Sequence, residues 1–392
     1  MTTSPIEATS PRDPHRASLP AATGGQSVGL RAFGSPQRYL QGPGALRELG
    51  GIVGTFGATR PFVVADAVVQ ALLRADLEAA LGPETCFAVF GGECSACEID
   101  RLAAQAHAVG ADIILGVGGG KAIDAAKGVR MQRPMPLVVV PSIASNDSPT
   151  SRIVVVYTDD HRLLEVRRMP TNPDVVLVDT AIIAAAPPRF FVSGIGDALS
   201  KKFEAAQCAG SGGQNFYGGR PPAIAQAIAD ACYAVIREHA EPALMAVRRR
   251  QSDAHVEQTV EATILLSGLA FENGGLSIAH SLTRGLSIVP GVADALHGEQ
   301  VAWGLLVQWV LEGRSDAFMA DQLAFYGRIG LPRTLQELGL TGDPAWAAAT
   351  IARDSWARAP YVKALTAPID PERLEAAIHA THGFATAARS AS

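Results

Sequence analysis

The stretch Ile113-Ile114-Leu115-Gly116-Val117-Gly118-Gly119-Gly120-Lys121-Ala122-Ile123-Asp124-Ala125-Ala126-Lys127 decides the fold. An apolar run rich in β-branched residues ends in clustered glycines and passes into an alanine-rich, helix-favouring segment, which predicts strand, tight turn and helix N-terminus. Such a turn is suited to a phosphate. Glycines let the backbone approach the anion without a Cβ in the way, the unpaired N–H groups of the first helical turn face it, and Lys121 adds a full charge. The spacing is neither G-x-G-x-x-G, which lacks its third glycine at Lys121, nor G-x-x-x-x-G-K-[ST], which fails at Leu115 and Ala122. Taken alone, the stretch is also compatible with a glycine-rich βα turn that binds nothing.

Outward from it the chain keeps an α/β texture. Pro61 to Ala65 and Cys86 to Phe90 predict strands, and Ala67 to Leu81 and Glu98 to Val109 predict helices. Leu137 to Val140, Ile153 to Tyr157 and Val175 to Val178 predict further strands, so a mostly parallel, Rossmann-like sheet is expected. Beyond Pro187-Pro188 the texture changes. Ala223 to Glu238, Glu257 to Leu269, Glu299 to Leu311 and Pro371 to Thr381 have helical spacing with no convincing strand runs, and Gly210 to Gly219 reads as a connection between helices. The expected organisation is a disordered tail over 1–28, a dinucleotide-binding α/β domain over 29–186 and an all-helical metal- and substrate-binding domain over 187–392.

Composition agrees with two domains. A chain of 392 residues exceeds what one core usually supports, and 48% hydrophobic residues can fill two. A net charge of -5 gives no reason to expect nucleic acid or an anionic membrane as partner. No uninterrupted apolar run reaches the ~18 residues of a transmembrane helix. Five cysteines are an odd and sparse set, which points to a reducing, cytoplasmic setting, and Cys94 with Cys97 lacks the second pair of a zinc site.

Three stretches in the helical half carry groups that bind metals: Asp197 in Gly194 to Leu199, His280 in Ile278 to His280, and His297 in Leu296 to Glu299. One carboxylate and two imidazoles suit Zn²⁺ or Fe²⁺ with a position open for substrate, although spacing so wide leaves a plain hydrogen-bonding role open for each.

Several ordered blocks resemble the glycerol dehydrogenase branch of the iron-containing (group III) alcohol dehydrogenases. They are Gly91 to Ser95 with Glu98 to Arg101, Gly116 to Lys127, Pro141 to Asp147, Asn172 to Thr180, Gly194 to Leu199, Ser267 to His280, and His297 to Glu299. The likeness runs from about residue 36 to the C-terminus. It implies NAD as cofactor, one divalent metal with Zn²⁺ ahead of Fe²⁺, a homo-oligomer, and oxidation of a secondary alcohol. By the same resemblance Asp197, His280 and His297 match the metal ligands and Asp147 the substrate-contacting aspartate. Asp66 matches the acidic residue at the cofactor ribose, which favours NAD over NADP. Gly118, Gly119, Gly120 and Lys121 match the pyrophosphate loop, and Ser142, Ser145, Ser151, Ile153 and Tyr157 match positions around the nicotinamide. In such a site the metal lowers the pKa of the substrate hydroxyl, and hydride passes from the carbinol carbon to the nicotinamide. Two rivals are weighed against this: an NAD-using lyase of the dehydroquinate synthase type, whose first ligand is typically Glu where this chain has Asp197, and a non-catalytic metal or nucleotide binder.

The chain departs from the family around the substrate. Where relatives tend to read S-T-D-A-P-C-S-A it has Ser145 to Arg152, and where they read H-A-x-H-N-G-L it has His280 to Leu286, so an imidazole is gone and two arginines have appeared. If Ser277 to Leu286 is one helix, Arg284 shares a face with His280 and leans into the metal cleft. Arg152, on a strand, points opposite to Ser151 and Ile153. Arg284 therefore carries the expectation of an anionic hydroxy acid or phosphorylated polyol, small molecule or peptide ending in threonine, with decarboxylation following where a β-keto acid is formed.

Overall fold

The computed structural model describes residues 29–158 and 163–390; the expected tail over 1–28 lies outside them. The sheet half opens with β1 (Arg38–Gly42) and α1 (Leu49–Gly54). It continues through β2 (Pro61–Ala65), α2 (Ala67–Leu81), β3 (Cys86–Val89), α3 (Ala96–Ala108), β4 (Ile113–Gly118), α4 (Gly120–Gln132) and β5 (Leu137–Pro141). Next come β6 (Ile153–Tyr157), β7 (Leu163–Arg168) and β8 (Val175–Asp179).

Six of these strands form one parallel sheet in the order β1-β8-β5-β4-β2-β3. Alternate side chains go to opposite faces. Phe62, Val64, Ile114 and Val139 pack on Ile99, Leu102, Ile123 and Val129 of α3 and α4. Val63, Ile113, Leu115 and Val138 pack on Leu49, Ile52, Leu73 and Leu77 of α1 and α2. Burial on both faces explains why the central strands read as unbroken apolar runs. Register brings Val64 beside Gly116 and Gly118 beside Pro141, so the C-terminal ends of β2, β4 and β5 lie side by side.

One expectation is corrected. Ile153 to Tyr157 does not join the sheet; β6 pairs antiparallel with β7 alone, Ile153 opposite Arg168. So short a connection closes a hairpin, whereas a parallel neighbour needs a crossover of a dozen residues or more. β6 is fixed over α4 instead, where the Val155 amide donates to Asp124 Oδ2 at 3.0 Å.

From Thr180 on, every described element is helical: α5 (Thr180–Ala185), α6 (Pro188–Gly210), α7 (Ala223–Arg248), α8 (Ala254–Glu261), α9 (Ser267–Gly274), α10 (Ile278–Leu286), α11 (His297–Leu311), α12 (Asp316–Ile329), α13 (Pro344–Arg358) and α14 (Pro371–Ser390). The run expected over 257–269 is not one α-helix, because Ala262–Leu266 between α8 and α9 is a π-turn. Thr150 Oγ1 donates to the Ile264 carbonyl within it at 3.0 Å. Phe203 of α6 meets Trp309 of α11 edge-on, ring centroids 5.1 Å apart, in the core that binds α6 to α11. Among the described residues no single helix is long and apolar enough to cross a membrane.

Candidate active site

Three helix segments bring the polar cluster together. On α6, Asp197, Lys201 and Glu204 fall at i, i+4 and i+7, which is one face of a helix, and all three are buried. Glu204 lies under the start of α10, where unpaired backbone N–H groups need an acceptor. Its Oε1 accepts from the amides of Ser277 at 2.9 Å and His280 at 3.0 Å, and its Oε2 lies 2.5 Å from His280 Nδ1. Glu204 thus caps α10 and fixes the His280 ring with Nε2 turned to Asp197 Oδ1, 3.2 Å away. His297 opens α11. That helix starts hard against α6 because Gly298 has no side chain: a Cβ there would stand 1.8 Å from the Ser193 carbonyl oxygen. The two imidazole centroids end 5.4 Å apart, and one ligand atom from each of Asp197, His280 and His297 lies within 4.8 Å of the others.

These groups fit a divalent metal ion. Asp197 Oδ2 is buried and, among the described residues, has no hydrogen-bond partner, a costly state for a carboxylate oxygen unless something binds it. Burial alone would raise the Asp197 pKa, but the Lys201 ammonium and His280 hold it well below the usual carboxylate range. Asp147, sharing the same lysine, is raised by burial and by the charge on Asp197. Burial works against the charged form of His280, and the Glu204 carboxylate overrides it, carrying the imidazole up to about 9. His297 is open on its cleft side, yet the protein packed behind it pushes it down to about 4. Its ring is thus a neutral ligand across the physiological range.

Asp147 stands beside this cluster. Its Oδ2 accepts from Ser267 Oγ at 2.7 Å and lies 3.1 Å from Lys201 Nζ. The π-turn before α9 places Ser267 for that bond, a use such turns often serve at functional positions.

The strand ends belong to the sheet half of the chain. Asp66 follows β2 and caps α2, its Oδ1 accepting from the amides of Val68 and Val69 at 2.9 Å each. Its Oδ2 faces the glycine turn, 3.8 Å from where a Cβ of Gly118 would stand. Gly118 has a φ of +146°, a conformation L side chains rarely adopt. Gly119 is the N-cap of α4 and leaves its first-turn amides without a side-chain cap, and Gly120 follows as the first helical residue. The Ser142 amide donates to the Gly118 carbonyl at 3.0 Å, tying β5 to the turn. Ser145 meets the helical half, its carbonyl accepting from Ser193 Oγ at 3.1 Å.

The side chains of Lys121, Ser151, Ile153 and Arg152 are engaged with neighbours within the protein. Lys121 is not a lone charge on the turn: its Nζ is 2.7 Å from Glu93 Oε2 and 4.7 Å from the Tyr157 ring centroid. Ser151 is taken up by Lys127, a fully buried ammonium that needs oxygens around it and lies 3.3 Å from Ser151 Oγ. Ile153 packs with Phe216, Phe271 and Leu276. Arg152 donates to the Phe216 carbonyl at 2.5 Å and covers the Tyr217 ring.

Arg284 does lie on α10, one turn beyond His280, and is partly buried. Its electrostatic neighbours are Tyr361, Arg358, Tyr157 and Asp354. Asp354 is committed to Arg358, so among the described residues Arg284 makes no ion pair.

Lys201, Glu204 and Ser267 escaped the sequence reading. The signal for the first two was the i, i+4, i+7 spacing from Asp197; Ser267 had none.

Comparison with known proteins agrees in family and fold. The profile of the iron-containing alcohol dehydrogenases matches residues 36–180. A glycolaldehyde reductase from Halobacterium salinarum is 42% identical over 312 residues, 79% of this chain and 85% of the relative. A glycerol dehydrogenase from Escherichia coli O6:H1 is 36% identical over 351 residues, covering 89% and 95%. The crystal structure of glycerol dehydrogenase from Schizosaccharomyces pombe superposes with a TM-score of 0.88 at 34% identity, over 92% of this chain and 93% of that one.

Proposed function

The chain belongs to the iron-containing alcohol dehydrogenase family, in its glycerol dehydrogenase branch, and from that premise we propose that Asp197, His280 and His297 hold a divalent ion facing an NAD laid along the strand ends. The enzyme class is that of an NAD-dependent polyol dehydrogenase. The relatives, a reductase and dehydrogenases, lend nothing to the lyase or to the non-catalytic binder. The observation that carries the site is the buried Asp197 Oδ2, without a hydrogen-bond partner among the described residues, beside two imidazoles. When bound, the ion supplies a Lewis acid that lowers the pKa of the substrate hydroxyl, and NAD supplies the hydride acceptor.

The chain's own residues do the rest. Glu204 holds the His280 proton at Nδ1 and so keeps the Nε2 lone pair for the ion, the usual second partner of a metal-ligating histidine. Gly118, Gly119 and Gly120 let the pyrophosphate approach the first turn of α4, and Asp66 Oδ2 meets the adenosine ribose. Lys121 and Tyr157, stacked on each other, form the wall between cofactor and substrate. Asp147 presents Oδ1, which has no side-chain partner among the described residues, to the substrate. Zn²⁺ is the ion this donor set favours, and elemental analysis of protein purified without added metal tests that against Fe²⁺. A cytoplasmic setting fits five cysteines without a disulfide, and a homo-oligomer is what the family resemblance implies; cell fractionation and light scattering test them.

Arg284 narrows the substrate. A partly buried guanidinium with no ion pair among the described residues, one turn from a metal ligand, is matched by a carboxylate or phosphate, so the substrate is a hydroxy acid or phosphorylated polyol rather than free glycerol. A β-hydroxy acid would yield a β-keto acid, which loses CO₂ without a further catalytic group. The experiment is a panel of neutral polyols and matched hydroxy acids and phosphates, followed by NADH formation with wild type and Arg284→Ala. The mutant is expected to lose roughly 2 kcal/mol of transition-state binding for the anionic substrates and little for the neutral ones. Glycerol outperforming every anionic substrate, with the mutant unchanged, rules the narrower reading out.

A further inference from the structure

The lysine at the centre of the cluster is the counter-charge to both Asp197 and Asp147. Lys201 is fully buried, and its Nζ lies 2.6 Å from Asp197 Oδ1, 3.1 Å from Asp147 Oδ2 and 3.1 Å from His280 Nε2. An ammonium has three N–H bonds, and three polar atoms stand within their reach, His280 Nε2 accepting only when the ring is neutral.

Two of those acceptors survive metal binding and one does not. Asp197 can serve both cations, Oδ1 for the ammonium and the unpartnered Oδ2 for the ion. Asp147 lies outside the three-residue ligand set. His280 cannot serve both. Its Nδ1 is committed to Glu204, so in the neutral ring, the form that can bind an ion, Nε2 carries the single lone pair, and that pair goes either to a Lys201 N–H or to the ion. Charge nevertheless favours the two cations together: the buried carboxylates of Asp147, Asp197 and Glu204 are balanced by the ammonium and one divalent ion jointly, and by neither alone.

We propose that Lys201 is a second cation built into the metal site, which competes with the divalent ion for His280 Nε2 and, once displaced from it, donates the freed N–H to the substrate oxygen that shares the site. This rests on the metal assignment proposed above. Lys201 then contacts substrate and is a catalytic residue, and it weakens metal binding by placing a like charge beside the ion. The substrate class that suits it carries an oxygen next to the carbinol, as a vicinal diol or an α-hydroxy carboxylate does, while Arg284 takes a more distant anionic group.

The test is the Zn²⁺ affinity of Lys201→Met and Lys201→Gln, measured by competition with a chromogenic chelator, together with KM and kcat of the Zn²⁺-loaded proteins. Removing the like charge is expected to tighten Zn²⁺ binding about tenfold or more in both variants. KM for the best substrate is expected to rise about tenfold, from loss of a charge-assisted contact. Zn²⁺ affinity equal to or weaker than wild type in both variants overturns the inference. Either variant leaves two carboxylates facing each other, so both are purified with Zn²⁺, which takes over the counter-charge; a variant that does not fold even then, by circular dichroism, also overturns it. A wild type that turns over fully without any divalent ion sinks the metal assignment itself, whereas one Zn²⁺ per wild-type chain with unchanged variants sinks only the role of Lys201.

Discussion

The two walls of the cleft position their chemistry in opposite ways. On the sheet side the working groups are largely backbone: the turn after β4, with Gly118 at a φ of +146° and an uncapped first turn of α4, offers amides where side chains would be in the way. On the helical side they are side chains from α6, α10 and α11, with Glu204 fixing His280 and Lys201 spanning Asp197 and Asp147. The sheet wall should therefore tolerate changed side chains and suffer from added Cβ atoms. The helical wall should tolerate neither the loss of a ligand nor the loss of the group that orients it.

The largest effect tests that the walls act separately. His280→Ala removes one proposed metal ligand without touching the strand ends, so turnover should fall by roughly a thousandfold or more while NAD affinity, read by calorimetry, stays within about twofold. A large loss of NAD binding would mean that the walls are coupled. Glu204→Gln comes next. The amide keeps the size of the side chain but not the charge that orients His280, and metal affinity should drop by about 10- to 100-fold. The cap on α10 is weakened too, at a cost of about 1 kcal/mol in stability. Unchanged metal affinity would show that the His280 ring is held by packing alone.

Gly118→Ala probes the sheet wall. An alanine there must adopt a φ that L residues avoid, and its Cβ would stand 3.2 Å from that of Ala122. Strain of about 1 to 3 kcal/mol is expected, with a lower melting temperature and a weaker NAD complex but normal metal content. Wild-type NAD affinity would remove the turn from the cofactor site.

The same contrast explains what could be read from the chain itself. Backbone chemistry leaves a local trace: the apolar run, the clustered glycines and the alanine-rich helix are contiguous, and β4, the turn and α4 fall where that pattern puts them. Strand β1 left little, because it is a partly exposed edge strand without an unbroken apolar run. The helical site is assembled from residues far apart in the chain, and the three ligands were legible only through a family resemblance. Lys201 and Glu204 sit at regular spacing from Asp197, but a charged helical face usually meets solvent, and only the packing of α10 turns this one inward. The position of Arg284 followed from helical geometry; its lack of an ion pair among the described residues needed the fold.

The smallest effect separates two jobs done by one carboxylate. Asp66 Oδ1 caps α2 through the amides of Val68 and Val69, while Oδ2 faces the glycine turn without a partner among the described residues. If Oδ2 meets the adenosine ribose, it also repels a 2′-phosphate, and wild type should prefer NAD. Asp66→Ser keeps a hydroxyl able to cap the helix and removes the negative charge, so the ratio of kcat/KM for NAD over NADP should narrow by about tenfold with stability changed by less than about 0.5 kcal/mol. Asp66→Ala should narrow the ratio equally but lose the cap, costing about 1 kcal/mol. A serine variant that loses stability without altering cofactor preference would assign Asp66 to the helix alone, and the sheet wall would then select its cofactor through backbone only.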